Sequence, residues 1–298
     1  MMGMWTERIA VEGPYDFDKV LDRLAIDPLQ AVDLENRAVK VPLYINDSPH
    51  VVTIQALGTV DEPIFIIEGK DTEAKGRLLS RIYEIFHWHK PMGSIQEHFQ
   101  STALESIFDI HRGTAILLDY DLFGNLAKSI IHQQLNLKFA YVLTQRFVET
   151  YGKKLEGAWF YPRPEVLAQL TVEELRELQF SGRKAEYVIG LATEITEGRL
   201  DLESLRDKSD AEIIAELTRV RGIGKWTAES FLLFGLGRPN IFPKADIGIQ
   251  NALKQLMEMQ EKPTMEEMAA YSKEWEPYLS YASLYLWRSI EKRSEKSK

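Results

Sequence analysis

The chain of 298 residues contains no cysteine. That single absence excludes disulfides, thiolate nucleophiles, zinc fingers and cysteine-ligated iron–sulfur clusters. No apolar run approaches the length of a membrane span, and the first residues, "MMGMWTERIAVEG", lack the architecture of a signal peptide. The expected location is therefore cytoplasmic. Histidine is scarce as well, with six in all, and the neighbouring His87 and His89 would point to different faces of a helix, so no metal cluster and no catalytic metal is expected. Positive charge is in deficit: 36 Lys and Arg against 45 Asp and Glu give a formal charge of −9. Taken as a sum, that charge is wrong for a partner that is itself a polyanion.

The distribution of charge says more than the sum. Residues 1–97 carry 16 Asp and Glu against 10 Lys and Arg, so most of the acidity sits at one end. Residues 219–246 are locally basic, with Arg219, Arg221, Lys225, Arg238 and Lys244 against Glu229 and Asp246. Composition is otherwise that of an ordinary soluble globular protein, 45% hydrophobic and 27% charged.

The pattern of apolar residues predicts an α+β protein. In the first part, "RIAVEG", "RAVKVPLYIN", "HVVTIQALG" and "EPIFIIEG" read as strands, with turn chemistry in "NDSP". "YDFDKVLDRLAI" and "EAKGRLLSRIYEIFHW" have apolar residues at helical spacing, so an antiparallel sheet with helices on one face is expected. From about residue 95 onward the pattern is helical, beginning with a long segment, 121–152, and ending in a helical pair over 263–290. The expected division is an N-terminal sheet domain (1–92), a linking helical segment (93–120), a helical domain (121–238), a C-terminal helical subdomain (239–290) and a charged tail (291–298).

One short stretch is unusual. In "RVRGIGKWTAESF", residues 219–231, two glycines interrupt two helical patterns. Ser209 with Glu212 is a capping-box signature for the helix before it. Glycine at 222 and 224 permits positive φ and a close turn, leaving hairpin amides and the start of the second helix free to face an anion. A nucleotide P-loop is excluded, because Arg219 stands where its first glycine belongs and Trp226 follows Lys225. A dinucleotide loop needs a preceding strand, and here a capped helix precedes. A nucleic-acid phosphate and a plain turn between packed helices both remain. Downstream, Pro239, Pro243 and a glycine mark a loop, after which Asp246 stands at the N-terminus of an amphipathic helix. There a carboxylate either caps the helix or is held ready for chemistry.

Taken together, the hairpin, the proline loop and the following Asp resemble the helix–hairpin–helix DNA glycosylase superfamily. "PYDFDKVLDRL", "IIHQQLNLKFA", "YPRPEVLAQLTVEELRELQFSGRKAEYV" and "WEPYLSYASLYLWRS" extend the resemblance, in order, over nearly the whole chain. They point to its AlkA-type branch, the bacterial DNA-3-methyladenine glycosylases II. The resemblance implies an N-terminal antiparallel sheet domain followed by a helical core of two subdomains with the active site in the cleft between them. It implies that Asp246 is the catalytic carboxylate, stabilising an oxocarbenium-like state or deprotonating water. Trp226 and Trp287 match pocket-lining positions, and Tyr281 and Tyr285 are further base-pocket candidates on the same C-terminal helix as Trp287. Core packing is the competing role for the tyrosines.

The resemblance also places Gln134, beside Gln133, at the wedge that fills the gap left by a flipped base. Glutamines tethering a buried turn are the alternative. Gly222, Gly224, Lys225 and Thr227 are implied phosphate-binding positions, and hairpin carbonyls of this family often hold Na⁺ or K⁺. Two positions depart from the best-known family member: Ser230 replaces a pocket tyrosine, and Gln134 replaces an apolar wedge. Relatives that also cut the strand carry a lysine where Trp226 stands, so the implied enzyme is monofunctional. The expected partner is damaged double-stranded DNA, bound by a monomer with no obligate protein partner and no membrane. The alternatives are a glycosylase of the same fold for hypoxanthine, uracil or oxidised bases, and a non-catalytic helix–hairpin–helix DNA-binding protein.

Overall fold

The computed structural model describes residues 3–291. The charged tail lies outside the described residues except for its first position. An antiparallel sheet opens the chain, formed by β1 (Met4–Ala10), β2 (Ala31–Asp33), β3 (Ala38–Ile45), β4 (Ser48–Ala56) and β5 (Ile64–Lys70). Helix α1 (Phe17–Leu24) lies between β1 and β2, and α2 (Lys75–Ile85) follows β5. The strand order is β1-β5-β4-β3-β2. Alternation fixes its register: Val39 faces Ile54 and Val41 faces Val52 across the β3–β4 ladder, and all four are buried. Phe17, Val20, Leu21 and Leu24 of α1 are buried, and Phe65 of β5 stacks on Trp88 at 4.3 Å.

Helices follow: α3 (Met92–His98), α4 (Glu105–Ile110), α5 (Leu122–His132) and α6 (Leu137–Tyr151). The expected long helix over 121–152 is therefore two. Gln133 leaves the helix at φ −51°, ψ 130°, Gln134 turns to a positive φ of 56°, and the Asn136 side chain caps α6 by accepting from Phe139 N–H at 2.9 Å. A small hairpin, β6 (Lys153–Leu155) and β7 (Ala158–Phe160), comes next, then α7 (Pro164–Leu167), α8 (Val172–Glu177) and α9 (Gly182–Thr196). The chain closes with α10 (Asp210–Leu217), α11 (Lys225–Ser230), α12 (Ile247–Leu256), α13 (Met265–Ser272) and α14 (Leu279–Ile290). Complete capping boxes start α8, α10 and α13 through Thr171–Glu174, Ser209–Glu212 and Thr264–Glu267. One buried apolar cluster runs from the sheet through α2 and α5 to α14, so the acidic N-terminal part and the helices share a core.

Candidate active site

The turn between α10 and α11 depends on Gly222. Its φ is +98°, and a β-carbon there would fall 2.4 Å from Cγ of Tyr187, so only glycine fits. Gly224 is different. It has an ordinary extended backbone as the N-cap of α11, with open space where a side chain would be, so the freedom that glycine permits is used at 222 and not at 224. Gly224 caps α11 without a side chain, and the first-turn amides of Lys225, Trp226 and Thr227 lie beyond the reach of intrahelical acceptors. The Lys225 side chain is exposed and lies 3.7 Å from Glu229. Burial raises the pKa of Glu229, an effect that Lys225 counters and the charge of Asp246 reinforces. Thr227 is buried, so its hydroxyl faces the interior; any contact it makes with an anion outside is through its backbone.

After α11 the helix widens into a π-helical turn, Phe231–Gly235, and a loop leads to Asp246 at the N-cap of α12. Asp246 does cap its helix: Oδ1 accepts from Ile249 N–H at 2.9 Å. It also does something a cap has no need of. Trp287 of α14 donates its indole N–H to Oδ1 at 2.8 Å, and Trp226 of α11 donates to Oδ2 at 2.8 Å. The carboxylate is thus oriented from three helices. Oδ2 keeps an unused acceptor direction on the side of Trp226, which is 45% exposed. Gly248, in the first turn of α12, leaves room for the Trp287 indole, since a β-carbon there would lie 3.1 Å from the ring.

Both indoles border a cavity of about 1710 Å³. Ser230 and Phe234 line it too, and the Phe234 ring lies 5.9 Å from that of Trp287. Gln133 and Gln134 are at its edge with the exposed Leu137. Part of its wall comes from the N-terminal part, including Arg23, Asp27 and Tyr44. Sequence reasoning missed that wall, as it missed Phe234 and Leu137, because a strand-edge tyrosine or an apolar residue in a helix carries no local sign of facing a cavity.

The two glutamines separate. Gln133 Nε2 donates to Gly222 O at 2.9 Å and lies 3.4 Å from Thr227 Oγ1, so this side chain is a tether for the hairpin and the wedge expectation is corrected for it. Lys184 secures the end of α5, from which Gln133 reaches the hairpin, by donating to Ile130 O at 2.9 Å and Gln133 O at 2.6 Å. Gln134 is exposed at the cavity edge. Tyr281 and Tyr285 are corrected as base-pocket residues: both are buried in the core behind α14. Tyr281 contacts His87 Nδ1 at 3.2 Å through its hydroxyl, and Tyr285 stacks on Phe108 at 3.8 Å. Helical spacing sets them on the far side of α14 from Trp287. Among the described residues, no group of three or more His, Asp and Glu is placed to hold a metal ion. No helix among them is long and apolar enough to cross a membrane.

Comparison with known proteins fits this geometry. The Bacillus subtilis (strain 168) protein YfjP is 51% identical over 290 residues, covering 97% of this chain and 100% of YfjP. The DNA-3-methyladenine glycosylase of the same organism is 38% identical over 174 residues, 57% of each chain. The 3-methyladenine DNA glycosylase from Archaeoglobus fulgidus has the same fold, with a TM-score of 0.82 at 23% identity over 94% of this chain and 97% of that one. Residues 127–277, from within α5 to just before α14, match the model of the HhH-GPD superfamily base excision DNA repair proteins, and the chain belongs to that family.

Proposed function

We propose that this chain is a monofunctional DNA glycosylase that hydrolyses the N-glycosidic bond of alkylated bases, 3-methyladenine and related methylated purines, in base excision repair. The observation that carries the reading is the clamp on Asp246: a carboxylate oriented by two indole N–H groups whose rings both border the cavity, close in sequence to a glycine hairpin with free amides. An extruded base would enter between the aromatic faces of Trp226 and Trp287, where a cationic methylated purine is favoured by the ring quadrupoles. The positive charge that develops on the sugar would then meet Oδ2 of Asp246, which is fixed before the reaction and needs no reorganisation. The same oxygen is the acceptor for a proton of the attacking water.

Gly222 and Gly224 let a phosphate approach the hairpin amides and those of Lys225 and Thr227, and Gln134 fills the space vacated in the stack. A Na⁺ or K⁺ at the hairpin would add charge for the phosphate. The carbonyls of Val220 and Gly222 already accept from Ile223 N–H at 3.1 Å and from Gln133 at 2.9 Å, which narrows the ligand set the hairpin offers. Strand cleavage needs an amine at the sugar. Trp226 occupies that position, and Lys225 is turned to Glu229. One chain supplies every wall of the cavity, in keeping with action as a monomer on duplex DNA, and a dimer mass in solution scattering would overturn that.

The direct test incubates the protein with methylated duplex DNA and quantifies free bases by chromatography. Wild type should release methylated purines, Asp246→Asn should not, and strand breaks should appear only after alkali. Intact duplex binding without base release from any lesion would make the chain a binding module instead.

A further inference from the structure

The helices that start beside the hairpin and Asp246 each expose a large apolar side chain in the first turn. Trp226 of α11 donates to Asp246, and Ile247 of α12, 64% exposed, follows Asp246 directly. Leu137, 52% exposed, opens α6. An exposed leucine by itself needs no account. Leu137 is set apart by its footing. It follows the loop whose Gln133 side chain donates to Gly222 O at 2.9 Å, so that loop and the glycine hairpin are held together.

The loop is pinned along its length. Lys184 donates to Gln133 O at 2.6 Å, Leu135 packs against the main core with its N–H bonded to His132 O at 3.3 Å, and Asn136 caps α6. Gln134 is held at a positive φ of 56°, a conformation that costs any residue with a side chain and persists only where its surroundings impose it. Gln133 and Leu135 are half-buried, while Gln134 and Leu137 are exposed. Three residues span at most about 11 Å, roughly three rises of a base step, so both exposed side chains reach the same short stretch of a duplex.

We propose that Leu137 is a second wedge: it enters the base step beside the one that loses its base, and supplies the apolar contact that Gln134 cannot. This rests on the glycosylase reading above. The occupant follows from chemistry. Phosphates and sugars reward cations and hydrogen-bond donors, whereas the apolar faces of a duplex lie in its stack. An apolar side chain pushed into a step partly unstacks it and kinks the helix, which lowers the cost of extruding the neighbouring base. Gln134 then fills the gap and bonds to the unpaired partner base through its amide. The polar residue at the expected wedge position is in this way compensated within the same loop.

The test uses duplex DNA with a stable abasic-site analogue and, in the complementary strand beside it, 2-aminopurine, whose fluorescence rises when it is unstacked. At saturating protein, wild type should raise the fluorescence, Gln134→Ala should keep most of the rise, and Leu137→Ala should lose most of it. Leu137→Ala should melt as wild type, because the side chain is exposed, yet release methylated purines from duplex DNA with kcat/KM lower by about 10-fold, the loss of one apolar contact. Leu137→Met, which keeps an apolar side chain of similar reach, should restore both readouts. No rise with bound wild type, or an equal rise with Leu137→Ala, would overturn the wedge; in the second case a loss of release would place Leu137 against the extruded base instead. Release of no base by wild type would overturn the glycosylase reading, whereas the fluorescence needs no catalysis and is read separately.

Discussion

Trp287 lies directly over Gly248, so close that a β-carbon on Gly248 would come within 3.1 Å of Cδ1 of the indole. The same indole donates to Asp246 at 2.8 Å. Glycine inside the first turn of α12 therefore sets the position of the carboxylate's partner. Gly248→Ala should improve helix propensity by up to about 1 kcal/mol. It should also push both the indole and Asp246 Oδ1, which would lie 3.0 Å from the new β-carbon, by a few tenths of an ångström and lower kcat/KM for base release about 3- to 10-fold. A variant that melts as wild type yet loses activity supports this positioning; unchanged kinetics reject it.

The indole N–H groups themselves can be removed while keeping the rings. Trp287→Phe and Trp226→Phe each withdraw one charge-assisted donor from Asp246, worth about 1.5–3 kcal/mol. Each should reduce base release about 10- to 100-fold while retaining an aromatic face for the base. Because both act on one carboxylate, the double variant should lose less than the product of the single losses. Strict multiplicativity in single-turnover rates would show that the two rings act only as independent walls.

The two hairpin glycines should behave differently under one substitution. Gly222→Ala meets both a positive φ of 98° and the Tyr187 ring at 2.4 Å, so it should destabilise the fold by about 2–4 kcal/mol. Gly224→Ala meets open space and ordinary backbone, so its melting temperature should stay near wild type. If the phosphate approaches there, duplex affinity should nevertheless fall for Gly224→Ala. Thermal melts and binding titrations at fixed salt separate the two effects.

Acid should weaken the fold through His87. Burial lowers its pKa to about 3, with Lys90 and His89 adding to the shift. The folded state thus keeps this imidazole neutral, whereas the unfolded chain takes up a proton near pH 6.5. Its stabilising contribution is complete above pH 6.5 and is lost as pH falls from there toward 3, at about 1.4 kcal/mol per unit. His87→Gln should flatten that part of the stability curve between pH 6.5 and 4. Parallel curves for the two proteins would reject the assignment.

Much of this architecture was legible in the chain because local rules and burial agreed. Alternation in 38–56 sufficed for the β3–β4 ladder, and Ser209 with Glu212 marked the start of α10. Asp246, Trp226 and Trp287 are brought together as the resemblance implied, although they lie on three helices. What failed depended on rotation about a helix or on a side chain's aim. Tyr281 and Tyr285 share α14 with Trp287 but face the core, and adjacent glutamines part because Gln134 takes a positive φ. The break at 133–136 was hidden by continuous apolar spacing on both sides.

The bond from Gln133 to Gly222 joins the start of the loop before α6 to the turn before α11, two segments 89 residues apart in sequence. With Lys184 holding the same loop, the pair behaves as a caliper of fixed span. On the glycosylase reading, one jaw grips a phosphate and the other presents Gln134 to the base stack. A caliper does not adjust to the duplex; the duplex must bend to it. Inspection of each base step would then be a test of how cheaply that step deforms, and a weakened stack at a damaged base would be sensed as compliance before any chemical group on the base is touched.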